Sequence, residues 1–222
     1  MRRFEAAGAD MRVHPLAPVV ALDIDGTLAR YHDHFMWFAE LYTAAPVYVN
    51  WLPEYKGEFS KALGMPKSEY RSIKLAYRQG GMKRSIPPMD DRVAQTVQYI
   101  RSMGIQVWIA TTRPWMRLDN IDPDTQFWLE KNCGRVDGVV YGDEKYKDLV
   151  DIVGREKILG VFDDLPENME AANKLGLNAV MMAGDHNAWW RSEGAGRSWH
   201  TIHRTKDIST ITDGWFEEYR DR

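Results

Sequence analysis

Residues 19–29 read VVALDIDGTLA, an apolar, β-branched run that ends in two aspartates, Asp23 and Asp25, one residue apart. The run has the composition of a strand buried on both faces. Gly26 follows at once and offers a turn. Two carboxylates at the end of a buried strand add nothing to a core, whereas ligands of an open parallel sheet gather beyond the carboxyl ends of its strands. The stretch therefore marks a central strand and a place to look for chemistry.

Four further runs of the same kind follow, Ile105–Ala110, Val136–Tyr141, Ile158–Phe162 and Asn178–Met182. Helical patterns lie between them. Asp90 and Asp91 are expected to cap a helix that carries Val93, Val97 and Ile100 and stops at Gly104; Pro123 is expected to open a second that closes near Gly134. Leu149–Val153 and the segment from Pro166 to Gly176 repeat the pattern. Strands alternating with helices predict an α/β fold, a three-layer Rossmann-like, mostly parallel sheet covered on both faces.

Residues 30–88 break this alternation. They are rich in aromatics, lack convincing β-runs, and return through a linker bearing Gly80, Gly81, Pro87 and Pro88. We read them as an inserted small helical domain, with 1–29 and 89–222 forming the core. Residues 1–15 show no clear period and are read as a loose arm.

Composition narrows the function. The 222 residues are 44% hydrophobic and 27% charged with a formal charge of −3, which suits a soluble globular protein. No global field grips a polyanion, so a large nucleic-acid interface is not expected. Neither a signal peptide nor a membrane span is read, and the single cysteine, Cys133, points to a reducing cytoplasm.

Two other apolar runs also stop on polar groups. WIATTRP carries Thr111, Thr112 and Arg113, and VFDDLPEN carries Asp163 and Asp164. Brought to one crevice, the acids would repel one another unless a hard cation joined them, and oxygen ligands of this kind suit Mg2+. Lys145 or Lys147 would supply positive charge for a bound phosphate.

These segments resemble the motifs of the haloacid dehalogenase (HAD) superfamily in its phosphatase branch. Asp23-Ile24-Asp25-Gly26-Thr27 is similar to its first motif, Thr111 to the second, Lys145 or else Lys147 to the third, and Asp163-Asp164 to the fourth. The insertion matches by position the C1-type cap. The resemblance implies that Asp23 attacks phosphorus to give an aspartyl-phosphate and that Asp25 is the general acid and base. It also implies that Asp23, the backbone carbonyl of Asp25, Asp164 and Asp163 hold Mg2+, while Thr111 binds the phosphoryl group and Gly26 and Thr112 border it. Arg113 resembles the arginine of nucleotidase-like and polynucleotide 3′-phosphatase-like members, which contacts substrate; its other reading is an arginine that pairs with an acid at the strand end.

A phosphomonoesterase acting on a nucleoside monophosphate or similar small phosphomonoester is the expectation. Polynucleotide 3′-phosphatase, sugar-phosphate phosphatase and phosphomutase are alternatives, and a binding module without turnover is disfavoured because a binder has no need of Asp25. Within the insertion, Lys67, Arg71, Lys74 and Arg78 form one helical stripe beside Tyr70, Ile73 and Tyr77. The stripe is read as a solvated face or, more sharply, a phosphate-attracting rim, with Tyr31, Phe35, Trp37 and Phe38 as aromatics that could stack a base. His32, Asp33 and His34 alternate after the first motif and are read as linker or cap contacts, because no second cluster completes a metal site in the sequence. Trp189 and Trp190 are read as packing groups of a C-terminal segment.

Overall fold

The computed structural model describes residues 17–192 and 200–221; the expected arm at 1–15 lies outside them. Among the described residues six strands form one sheet, β1 (Val19–Leu22), β2 (Gln106–Thr111), β3 (Gly138–Tyr141), β4 (Ile158–Asp163), β5 (Ala179–Met182) and β6 (His200–Ile202). Their order is β3-β2-β1-β4-β5-β6 and every pairing is parallel. The chain leaves β1 to build one half of the sheet and returns to its other side for β4. The crevice beyond β1 and β4 is thus the switch point at which such sheets bind ligands.

The helices are α1 (Tyr31–Thr43), α2 (Phe59–Ala62), α3 (Lys67–Gln79), α4 (Val93–Ser102), α5 (Ile121–Asn132), α6 (Lys145–Val153), α7 (Pro166–Lys174), α8 (Ala188–Ser192) and α9 (Lys206–Arg220). The four residues of β1 and the six each of β2 and β4 are all buried, as strands covered on both faces require. α4 buries Val93, Val97 and Ile100, the residues its period selects.

Asp90 does not cap α4. Arg92 holds the N-cap position without a side-chain cap; Asp90 Oδ1 accepts the Arg92 N–H at 2.9 Å, just ahead of the helix, and Asp90 also accepts from the backbone N–H and hydroxyl of Thr205, tying the start of α9 to this corner. α5 starts at Ile121, two residues before Pro123, because the first turn of a helix leaves its N–H groups without intrahelical partners and so tolerates proline. α6 begins at Lys145, earlier than its apolar run suggests.

β6 and α9 are additions that the sequence did not announce. β6 is three residues long, and only Ile202 of them is buried. α9 lays Trp215 across β4, where a Cβ on Gly160 would come within 2.3 Å of the indole; its ring centroid is 5.2 Å from that of Phe162. Glycine in mid-strand here permits the close approach of an aromatic.

Between β1 and α4 the described residues hold α1, α2, α3 and short 3-10 turns, with no strand. Phe35, Phe59, Ile73 and Tyr77 are buried in one continuous apolar cluster with Leu22, Ile24 and Leu28. The Phe35 ring meets those of Phe59 and Tyr77 at centroid distances of 5.4 Å each. Among the described residues no helix is long and apolar enough to cross a membrane.

Candidate active site

The parallel register sets the site. Leu22 pairs with Phe162, and the Asp23 N–H donates to the Phe162 carbonyl at 2.9 Å, so Asp23 and the Asp163-Asp164 pair emerge side by side. After Asp23 the chain folds tightly. The N–H groups of Thr27, Leu28 and Ala29 all donate to the Ile24 carbonyl, and Gly26 has φ +99°. A Cβ on Gly26 would lie 1.9 Å from Asp164 Oδ2. Glycine is required at this point both by its backbone and by the carboxylate against it.

Asp23, Asp163 and Asp164 are buried, and one ligand oxygen of each falls within 4.8 Å of the others. Lys145, the first residue of α6, enters the cluster; its Nζ is 2.5 Å from Asp23 Oδ1 and 2.6 Å from Asp163 Oδ2. Burial alone would favour its neutral amine, but Asp163 and Asp23 outweigh that and hold Lys145 above the usual lysine range. Lys147 points elsewhere, its Nζ 3.6 Å from Glu144 and its side chain 55% exposed. Geometry thus selects Lys145 from the two lysines.

The two acids of β4 differ. Asp163 accepts hydrogen bonds from the Leu165 N–H, the Asn168 amide and the Tyr146 hydroxyl as well as facing Lys145. Its oxygens are saturated by the protein. Asp164, 1% exposed, has no hydrogen-bond donor on Oδ1. His186 Nε2 lies 2.8 Å from Asp164 Oδ2, a contact that, against the effect of burial, holds the imidazole above its usual range.

An orphaned buried carboxylate oxygen is costly. Burial, and then Asp163 and Asp164, push the Asp23 carboxyl well above the usual range against the pull of Lys145; burial likewise raises Asp164. The donor set of Asp23 and Asp164 therefore fits a hard divalent cation, which would supply the charge that keeps both ionised.

Asp25 lies apart from this cluster and is gripped by two cations. Arg113 donates from Nη2 to Oδ1 at 2.7 Å and from Nε to Oδ2 at 3.1 Å, and Lys83 Nζ contacts Oδ2. Burial would raise the Asp25 pKa, but Arg113 and then Lys83 hold it well below the usual carboxylate range. Arg113 gives its remaining Nη1 to Thr125 Oγ1 at 3.1 Å, and its side chain is fully buried. Its guanidinium is turned onto protein partners, the arrangement of its acid-paired reading. Thr111 is buried and its Oγ1 accepts from the Arg113 N–H at 3.4 Å, while Thr112 is exposed.

Lys83 and His186 were not singled out in the sequence. Lys83 lies in a 3-10 turn, Met82–Arg84, with no periodic pattern to mark it, and stands 4.0 Å from the Tyr31 ring centroid. Burial draws it down to about 7 even though Asp25 raises it. His186 follows β5 in the turn Asp185–Asn187, far in sequence from the acid it meets.

His32, Asp33 and His34 belong to the first turn of α1 and not to a linker. His34 meets the Tyr77 hydroxyl at 2.7 Å and Ser85 Oγ at 3.3 Å, whereas His32 faces the site. Of the four aromatics considered for stacking, Phe35 is wholly buried, Trp37 is half exposed, and Phe38 packs edge-on to Tyr77. Only Tyr31 of these lines an open cleft of about 430 Å³, together with Gly26, His32, Trp51, His186 and Arg204. The basic stripe divides: Lys67 and Arg71 are exposed, while Lys74 and Arg78 are partly buried.

No protein-family model and no curated protein matches the sequence. Solved structures match its fold. CbbY from Rhodobacter sphaeroides, in complex with xylulose-(1,5)bisphosphate, is 17% identical with a TM-score of 0.57 over 86% of this chain and 96% of that one. A predicted phosphatase from Clostridium acetobutylicum is 13% identical with a TM-score of 0.59, covering 91% of this chain and 99% of its own. A HAD family hydrolase from Deinococcus radiodurans with bound phosphate and sodium is 13% identical with a TM-score of 0.56, covering 91% and 97%. The chain thus has the α/β fold of haloacid dehalogenase-like hydrolases.

Proposed function

We propose that the protein is a magnesium-dependent phosphomonoester hydrolase that works through an aspartyl-phosphate on Asp23. The observation that carries this reading is the convergence of Asp23, Asp164 and Lys145 at the β1/β4 switch point, with a buried oxygen of Asp164 left without a donor. Mg2+ bound by Asp23, Asp164 and the Asp25 backbone carbonyl would offset the charge of an incoming phosphate.

In the reaction, an Asp23 oxygen attacks phosphorus and the bond to the ester oxygen breaks. The departing oxygen takes a proton from the Asp25–Lys83 pair, whose shared proton the buried ion pair keeps at hand. Water then attacks phosphorus, its proton returns to the pair, and inorganic phosphate leaves with Asp23 restored. Lys145 stabilises the charge on Asp23 and on the transferring group. Asp163 acts on Lys145, fixing its position, and Thr111 borders the phosphoryl group.

Residues 30–88 act in this reading as the C1-type cap on a core of 1–29 and 89–222, since they deliver Lys83, Tyr31 and His32 to the site. The cleft falls within the range of about 300–1,000 Å³ common for small-molecule sites. Tyr31 and Trp51 on its wall favour a small phosphomonoester with a flat group, such as a nucleoside monophosphate. Arg113, turned away, lends that preference no support. Phosphate release measured across mononucleotides and sugar phosphates, with Mg2+ and with a chelator, tests both levels. Chelator-sensitive release from mononucleotides is expected; faster release from every sugar phosphate would reject the nucleotide preference, and no release from any ester would reject the phosphatase.

A further inference from the structure

His32, His186 and Asp164 come from three separate places, the first turn of α1, the turn after β5, and the residue that follows β4. One ligand atom of each lies within 4.8 Å of the other two. The imidazole rings of His32 and His186 are 4.3 Å apart at their centroids, and His186 Nε2 is 2.8 Å from Asp164 Oδ2.

Two further facts point to a ligand. Asp164 is nine-tenths buried or more, its Oδ1 has no hydrogen-bond donor, and its Oδ2 faces His186 Nε2. Both histidines also line the cleft of about 430 Å³, so that an ion held by the trio would keep an open side facing it. Trp51 and Phe59 flank His32 at centroid distances of 5.5 and 4.8 Å, fixing the ring from behind.

We propose that His32, His186 and Asp164 form a second metal site, for a borderline first-row divalent ion of the Zn2+ kind. Imidazole nitrogen is a poor ligand for Mg2+ and a good one for zinc, cobalt, nickel or iron. Two histidines and one carboxylate, with a position left open, are a donor set of zinc sites that also bind a further ligand. Asp164 serves both sites, with Oδ2 toward His186 and Oδ1 free for the cation shared with Asp23. Because His32 is carried by α1 and its partners by the sheet end, the ion would fasten the 30–88 segment over the acids. The proposal goes beyond the phosphatase reading, as ligand chemistry and not turnover defines it.

The test is a Co2+ titration of the metal-stripped full-length protein in saturating Mg2+, followed by visible absorption. The site predicts a d–d band that saturates at one equivalent, disappears on addition of Zn2+, and is lost in both His32→Ala and His186→Ala. Thermal unfolding checks that each variant is folded, and His32→Gln replaces His32→Ala where it is not. Asp23→Asn should keep the band while losing phosphate release, so a failed phosphatase and a failed zinc-type site give different results. Absence of the band from the wild-type protein, or an unchanged band in both folded histidine variants, would overturn the proposal.

Discussion

Arg113 holds Asp25 through two parallel hydrogen bonds, Nη2 to Oδ1 at 2.7 Å and Nε to Oδ2 at 3.1 Å. The guanidinium fork matches the two carboxylate oxygens, and the pair is shielded from water on the arginine side. Removing one partner of such a pair leaves a buried charge, which costs about 3–5 kcal/mol. Arg113→Ala is expected near the lower end, since Lys83 still faces Asp25. Arg113→Lys keeps the charge but not the fork and should recover only part of the loss. Urea unfolding of the two variants measures both; equal stability of Arg113→Ala and wild type would contradict the role.

Lys145 and Lys147 are two residues apart and should behave oppositely. Lys145→Ala removes the only side-chain ammonium touching Asp23 among the described residues, and phosphate release should fall by about 10²–10³-fold. Lys147→Ala removes a surface pairing with Glu144 and should leave kcat/KM within about twofold. Steady-state kinetics on the best ester from the panel compares them, and a large loss in Lys147→Ala alone would reverse the assignment.

Much of this arrangement was legible in the sequence because it lies at the ends of long buried runs. Five of the six strands, the acids of β1 and β4, and Thr111 follow from apolar runs that stop on polar residues. β6 was missed since His200 and Thr201 lack the apolar run that marks a strand. Lys83 and His186 were missed for another reason: both lie in single 3-10 turns, where no period distinguishes a buried charge from a surface one. His32 reads as a linker or cap contact in the sequence because no second cluster nearby completes a site; His186, over 150 residues away in the chain, meets it only through the fold.

Asp90 carries a pH-dependent share of stability. Partial burial would raise its pKa, but the hydroxyl and N–H of Thr205 outweigh it and lower it. The unfolded chain therefore takes up this proton first as pH falls. The contribution is complete above the unfolded value of about 3.9 and is lost as pH drops through the lower folded value. Asp90→Asn should reduce stability by about 1 kcal/mol at neutral pH. Its deficit should shrink in acid, as thermal unfolding between neutral pH and the acid limb will show; a deficit that grows in acid would contradict the sign.

Gly160 and Trp215 make a packing prediction. A methyl on Gly160 would meet the indole within 2.3 Å, so Gly160→Ala must push α9 off β4 and should destabilise by about 1–3 kcal/mol. Gly160→Ala combined with Trp215→Leu should recover part of that loss, because the smaller side chain makes room. Denaturant midpoints of the single and double variants report it.

Cys133 is wholly buried, and burial pushes its thiol up to about 12. Thiol reagents at neutral pH should therefore label the native protein far more slowly than the unfolded one. Rapid native labelling, read by absorbance, would contradict this burial.

The central claim is that Asp23 carries the phosphoryl group. It is tested most directly by mixing enzyme, Mg2+ and a turned-over ester, quenching rapidly in acid, and locating the phosphoryl label by peptide mass spectrometry. The account predicts label on the peptide containing Asp23 in the wild-type protein, and neither label nor phosphate release in Asp23→Asn. Wild-type rates of phosphate release from folded Asp23→Asn, or label on another residue, would contradict it.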